Sequence, residues 1–383
     1  MGKEFKSTID FIKDLYGNPA FVPLHIPRFW GKEKEYLLDT IASTFVSSVG
    51  AYVNRFEEEM ATLTGTAKAA AVVNGTAALQ VALRIAGVQP GEEVITQALT
   101  FVATANAIAY NYAQPVFVDV DRDTMGMSAT ALEDFLETYG EKRDNGTFNK
   151  STGKRIAACL PMHTFGFMCR IEEIVNICSQ WDIPVVEDAA EALGSTYNGK
   201  PAGGFGRMGI FSFNGNKIIT AGGGGALVSN DAQWAEKAKY LTTTAKVPHT
   251  WDYVHDELGY NYRMPNINAA LLCAQLEQLD ALKDSKRAVY EGYTGFFNNY
   301  DIRLTPIPEG TGWNYWLMSV ELEDRKQRDA FLETTNANGI MTRPVWQLMY
   351  RLPMYKHCQR DDEKNAEYLE ERIVNIPSSA RED

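Results

Sequence analysis

Between Phe56 and Glu187 the chain alternates helical periodicity with short β-branched or apolar runs, a pattern that few folds accept. Residues 56–63, 77–85, 101–110, 129–138 and 171–181 read as helices. Residues 69–73, 93–95, 115–120, 156–160 and 183–187 read as strands between them. Parallel strands need crossover connections, usually helices, so the alternation predicts an α/β unit on a mainly parallel sheet. Residues 139–153 are polar and rich in Lys, Asn, Thr and Gly, which marks a surface insertion. From about Trp251 the pattern changes. Residues 267–282 and 287–299 read as amphipathic helices, 316–320 and 339–343 as strands, and 328–336 as a helix. At 383 residues the chain exceeds one ordinary core. It divides into a large α/β domain over 1–250, opening with an arm at 1–30, and a smaller α+β domain over 251–383.

A formal net charge of -12 disfavours nucleic acid or an anionic membrane as the main partner, since both attract basic surfaces. No apolar run is long enough to span a bilayer, and the first residues have no secretory apolar region. The five cysteines, Cys159, Cys169, Cys178, Cys273 and Cys358, are scattered and read as free thiols in a reducing compartment. These features lead us to expect a cytoplasmic protein. The five histidines show neither HxxxH nor HxH spacing, so no metal set is expected.

Four local features carry chemistry. Val73-Asn74-Gly75-Thr76-Ala77-Ala78 runs from a strand through a glycine turn into a helix, giving either a phosphate site on free N–H groups or an ordinary N-cap. Val185-Val186-Glu187-Asp188-Ala189-Ala190 ends an apolar strand in two carboxylates, where open α/β sheets gather ligands. A carboxylate buried there needs a cation, such as a protonated pyridine, or else belongs to a structural ion pair. Lys217 follows the apolar run 209–213 and precedes four glycines, 222–225. Catalytic lysines must attack as the neutral amine, although most lysines are simply solvated. The glycines lack Walker spacing and fit no dinucleotide fingerprint. Phe101, at a turn, is either core or a ring that stacks on a flat cofactor. A phosphate cradle, a carboxylate, a lysine and a stacking ring together form the set that pyridoxal 5′-phosphate (PLP) requires.

At this point the chain resembles the DegT/StrS-type nucleotide-sugar aminotransferases, which are fold-type I PLP enzymes. The resemblance runs from about Phe21 to about Asn375. It rests on Phe56-Glu57 with Gly65, residues 74–79, Pro90-Gly91-Glu92-Glu93-Val94-Ile95, residues 100–105 and 115–120, Glu187-Asp188-Ala189-Ala190, residues 212–217 and Gly259-Tyr260-Asn261-Tyr262-Arg263-Met264. It implies that Lys217 is the Schiff-base lysine, that Asp188 pairs with the pyridine nitrogen and that Phe101 stacks on the ring. It further implies that Gly75, Thr76 and Ser212 hold the phosphate, and that Asn261 reaches the phosphate of a neighbouring subunit in a homodimer with shared sites. Glu191 stands where the family usually has Gln or His, near the cofactor's ring oxygen. The cofactor would pass through its amine form, pyridoxamine 5′-phosphate, during turnover.

Two longer stretches, 24–31 through 44–50 and 343–348 through 352–356, resemble the bacillosamine and legionaminic acid branch. That likeness implies transfer from L-glutamate to C4 of a UDP-linked 4-keto-6-deoxy-N-acetylhexosamine, for surface-glycan amino sugars such as those of lipopolysaccharide O-antigen. Ser47, Ser48, Arg343 and Gln347 are then candidate sugar-nucleotide contacts, or surface polar groups. Alternatives are a TDP- or GDP-linked keto-sugar aminated at C3 or C4, and a PLP-dependent sugar dehydratase. Dehydratases of this fold typically carry histidine at the position of Lys217. A PLP-binding regulator would want a DNA-binding appendage, and a nucleotide-dependent oxidoreductase a Gly-x-Gly-x-x-Gly turn; neither is found.

Overall fold

The computed structural model describes residues 5–382. Strands Lys68–Val72, Gly225–Ser229, Met208–Ser212 and Val186–Asp188 lie side by side in that order, and Ile156–Leu160, Glu93–Gln97 and Gln114–Val118 form a second group. Parallel bridges from Cys159 to Val185 and from Met162 to Asp188 join the two groups into one sheet. Only Gly225–Ser229 runs antiparallel to its neighbours among these strands. Helices Gly75–Ile85, Val102–Tyr110, Ala129–Tyr139 and Ile171–Gln180 lie between strands in the chain. Ala69 and Ala71 join one apolar layer while Ala70 and Val72 join the other, the two-residue period of a strand covered on both faces.

The antiparallel strand explains Gly225, the last of the four glycines. A Cβ on Gly225 would lie 2.5 Å from the carbonyl carbon of Asn74. Gly225 therefore lets a strand pass tight against the turn at Asn74-Gly75.

The C-terminal part builds an antiparallel sheet in the order Arg303–Leu304, Ser319–Glu321, Ile373–Asn375, Arg343–Pro344. Helices Leu279–Phe297 and Arg325–Ala337 pack on it. The start of the chain packs there too: Phe5 meets Phe331 edge-on at 5.2 Å, Phe11 stacks on Phe296 at 4.2 Å, and Val22 pairs with Ile340.

Two local readings change. The helix expected over 267–282 is instead Asn266–Leu276, and Leu279–Phe297 is a separate helix. The break is tertiary in origin: Glu277 is tied by Tyr36 and Arg55 at 2.6 and 2.7 Å, and Gln278 is packed tightly under Gly31. Periodicity alone cannot register such contacts. The polar insertion is a hairpin, Gly140–Arg143 against Gly146–Asn149; residues 141–145 and 150–153 are exposed as expected, while Thr147 and Asn149 of its second strand are buried. Asn149 at its base is buried and donates to Glu93 Oε2 at 2.9 Å.

Candidate active site

Strands Val186–Asp188 and Met208–Ser212 are parallel neighbours, with Ile210 opposite Asp188. Their carboxyl ends therefore present Asp188 and Ser212 side by side, at the edge of the sheet where such folds bind ligands. Both residues line a cavity of about 650 Å³. The same cavity is lined by Gly75, Thr76, Phe101, Glu191, Lys217, Arg343 and Gln347. The residues expected to act on the cofactor thus converge, apart from Asn261. Asn261 is exposed and bridges Thr243, while Ser47 and Ser48 lie on an irregular segment; none of the three lines the cavity of its own chain.

The two carboxylates of the strand end diverge, as alternation along a strand requires. Glu187 is fully buried and accepts from the amides of Gly203, Phe205 and Gly206 at 2.9, 2.7 and 2.7 Å. It also contacts His163 Nε2 at 3.2 Å, and with these partners it is structural. Asp188 faces the cavity. Its Oδ2 accepts from the Thr104 hydroxyl at 2.7 Å and its Oδ1 from the Ala190 amide at 3.2 Å. Burial pushes its carboxyl above the usual carboxylate range, partly offset by Thr104, Ala190, Lys217 and His163. Among the described residues no cation is in ion-pair contact with Asp188, so the site is short of a positive charge at this point.

At the opposite group, Asn74 caps helix Gly75–Ile85 by accepting from the Ala77 amide at 2.8 Å. Among the described residues the amides of Gly75 and Thr76 donate to no protein acceptor. The N-cap reading holds for Asn74, and the two free N–H groups at the positive end of the helix leave room for an anion. Gly75 is pressed against Ser212, whose Cβ would lie 2.9 Å from an added Cβ. We expect Gly75→Ala to lower PLP affinity about tenfold and to cost about 1–3 kcal/mol of stability by overpacking. Cofactor titration and thermal melting check this; unchanged PLP affinity would contradict it.

Lys217 Nζ lies 3.1 Å from Glu191 Oε1. Burial raises the Glu191 carboxyl, with Lys217 and the Phe165 amide, at 2.9 Å from Oε2, pulling it back. Phe101 is 48% exposed and caps the start of helix Val102–Tyr110, so its ring is open to a planar ligand. Sequence reasoning missed several partners. Thr104 orients Asp188, and Trp316 lies beside Lys217. Asn375 lines the cavity with its Nδ2 buried and unpartnered. Thr104 falls within the 100–105 motif, but Asn375 ends strand Ile373–Asn375 and Trp316 lies just before strand Ser319–Glu321, in apolar runs that give no functional signal.

The residues fit PLP. A buried carboxylate lacking a cation suits a protonated pyridine, two free amides beside Ser212 suit a phosphate, and a lysine stands in the same cavity.

The comparisons agree. The model of the DegT/DnrJ/EryC1/StrS aminotransferase family matches residues 29–381, and the chain belongs to that family. EpsN of Bacillus subtilis (strain 168), named as a pyridoxal phosphate-dependent aminotransferase, is 39% identical over 92% of this chain and 90% of its own. The GDP-perosamine synthase of Escherichia coli O157:H7 is 36% identical over 94% and 93%. Among solved structures, the aminotransferase TlmJ from Streptoalloteichus hindustanus superposes with a TM-score of 0.85 at 26% identity, covering 94% of this chain and 93% of its own. The protein is a PLP-dependent aminotransferase of fold type I, and its chemistry is the amination of a nucleotide-linked sugar. When bound, PLP accepts the amino group from a donor and passes it to a keto acceptor.

Proposed function

We propose that this enzyme transfers the amino group of L-glutamate to C4 of a UDP-linked 4-keto-6-deoxy-N-acetylhexosamine in the cytoplasm, supplying amino sugars for surface glycans. The observation that carries the reading is one cavity that joins Lys217 and Asp188 to Arg343, Trp346, Gln347 and Leu24. The last four belong to the two stretches that resemble the UDP-sugar branch. Within the cavity, Lys217 is the cofactor lysine and proton carrier, Asp188 the partner of the pyridine nitrogen, and Gly75, Thr76 and Ser212 the phosphate site. Phe101 stacks on the ring and Glu191 neighbours its oxygen.

The active unit in this reading is a homodimer of two-part subunits, divided near residue 250. Asn261, Ser47 and Ser48 lie outside their own cavity and would serve the neighbouring one. Phe45, Val46 and Val49, beside the two serines, are exposed apolar side chains, which suits a surface covered by a twin chain. Among the described residues no helix is long and apolar enough to cross a membrane.

A second reading is a GDP-linked 4-keto sugar. It is favoured by GDP-perosamine synthases at 35–36% identity from three bacteria, and the sugar-nucleotide contacts decide between the two. Binding energy from the nucleotide and the remote ring can be used to hold the keto carbon in place. We expect kcat/KM for the UDP-linked acetamido sugar to exceed that for the GDP- and TDP-linked 4-keto sugars at least about tenfold, or 1.4 kcal/mol of transition-state binding. A tenfold preference for the GDP or TDP sugar would overturn the substrate while leaving the aminotransferase in place.

A further inference from the structure

We infer that Trp316 is a positioning residue for Lys217, an inference that rests on the reading of Lys217 as the cofactor lysine. Lys217 ends a turn whose residues Asn214, Gly215 and Asn216 are exposed. The turn's own backbone restraint on the lysine is the bond from its amide to the Asn214 carbonyl, 3.0 Å. Segments with so few internal contacts are held in place by what packs against them.

Trp316, from the C-terminal part, supplies that contact. It is buried, and its indole Nε1 donates to the Asn216 carbonyl at 2.7 Å. The centroid of its ring lies 4.1 Å from Lys217 Nζ. One side chain therefore grips the backbone just before the lysine and offers a π face to its ammonium. Glu191 contacts the same Nζ at 3.1 Å, so face and carboxylate together define a fixed place for the free amine.

Trp316 is itself anchored. Its amide donates to Asn314 Oδ1 at 3.0 Å and its carbonyl accepts from the buried Lys286 Nζ at 3.1 Å. Lys286 also donates to the Ser378 carbonyl. The restraint thus runs from helix Leu279–Phe297 and the irregular segments at Asn314 and Ser378 through Trp316 to the lysine turn. A nucleophile held in one orientation gains rate without any change in substrate binding, which gives the inference its kinetic signature.

The test compares Trp316→Phe, which keeps a ring face and loses the N–H, with Trp316→Leu, which loses both. The control is Tyr293→Phe, which removes a buried hydrogen bond of 2.9 Å to the Pro377 carbonyl, away from the cavity lining. Cofactor-stripped protein is given PLP, and the rate at which its visible band appears is followed beside kcat and KM. Trp316→Phe is expected to slow capture and kcat about fivefold, as loss of one hydrogen bond would, and Trp316→Leu about fiftyfold with the face lost as well. Both KM values stay within twofold. Tyr293→Phe lowers the melting temperature comparably and leaves both rates unchanged. Capture and kcat within twofold of wild type in both Trp316 variants would overturn the inference, as would equal slowing by Tyr293→Phe. Peptide mapping after borohydride reduction separates the two levels. Label on Lys217 with unaffected Trp316 variants sinks this inference alone, whereas label on another lysine in the wild type sinks the assignment of Lys217 itself.

Discussion

Replacing Lys217 with alanine is expected to lower kcat by on the order of 10⁴-fold or more, with both substrates still bound. In the proposed reading Lys217 is both the covalent anchor of the cofactor and, among the described residues that line the cavity, the one lysine able to carry a proton between donor and acceptor carbons; loss of such a group is worth about 10²–10⁴ for proton transfer alone. The fold should tolerate the change, because the Lys217 side chain contributes one ion pair and one ring contact. Lys217→Arg keeps the charge beside Glu191 but cannot deprotonate to attack a carbonyl, so it should be as inactive as alanine. Amination rates measured with glutamate and the keto-sugar decide the matter, and either variant turning over within tenfold of wild type would contradict the assignment.

Asp188→Asn should have two opposite effects. If Asp188 is the partner of the pyridine nitrogen, its removal in the enzyme with PLP takes the negative partner from a buried cation, which costs about 3–5 kcal/mol, so kcat should fall about 10²- to 10⁴-fold. In the cofactor-free chain the same change should stabilise. The Asp188 carboxyl is raised by burial. A carboxyl raised on folding contributes stability below its unfolded pKa of about 3.9 and loses it as the pH rises through the folded value. At neutral pH that contribution is gone, and the buried carboxyl is a net cost to the cofactor-free protein. Asparagine keeps the geometry: its oxygen can accept from Ala190 and its amide can donate to the Thr104 hydroxyl, which is both donor and acceptor. We expect the melting temperature of the cofactor-free variant to rise by about 2 °C at pH 7–8, and the gain to vanish near pH 4. A lower melting temperature at neutral pH would show that Asp188 is paired without the cofactor.

The sheet was legible in the sequence because its strands are buried on both faces and read as short apolar runs between helices. Gly225–Ser229 escapes notice because the glycines at 222–225 signal a turn, and only the approach of Asn74 shows why Gly225 is required. In sequence the first helix, Lys6–Leu15, reads as part of an arm, since nothing local says that Phe5 and Phe11 pack on residues some three hundred positions later. At the site, Asp188, Ser212, Gly75 and Lys217 stand at strand ends and turns, where sequence punctuation marks them. Glu187 and Asp188 are adjacent and chemically alike, and only the pleat decides that one is structural and the other faces the cavity. Trp316 and Asn375 were invisible for a related reason: each is a strand or near-strand residue of the C-terminal part, and its role comes from a neighbour distant in the chain. Ser47, Ser48 and Asn261 depend on a second subunit for any part in the site, a relation that a single chain does not carry.

The most direct test of the account is borohydride reduction of the purified enzyme with PLP, followed by peptide mass mapping. The account predicts a single pyridoxyl adduct, on Lys217, and its disappearance when glutamate is added first, because the donor converts the cofactor to its amine form and frees the lysine. An adduct on any other lysine, or a Lys217 adduct that persists unchanged after glutamate, would contradict it.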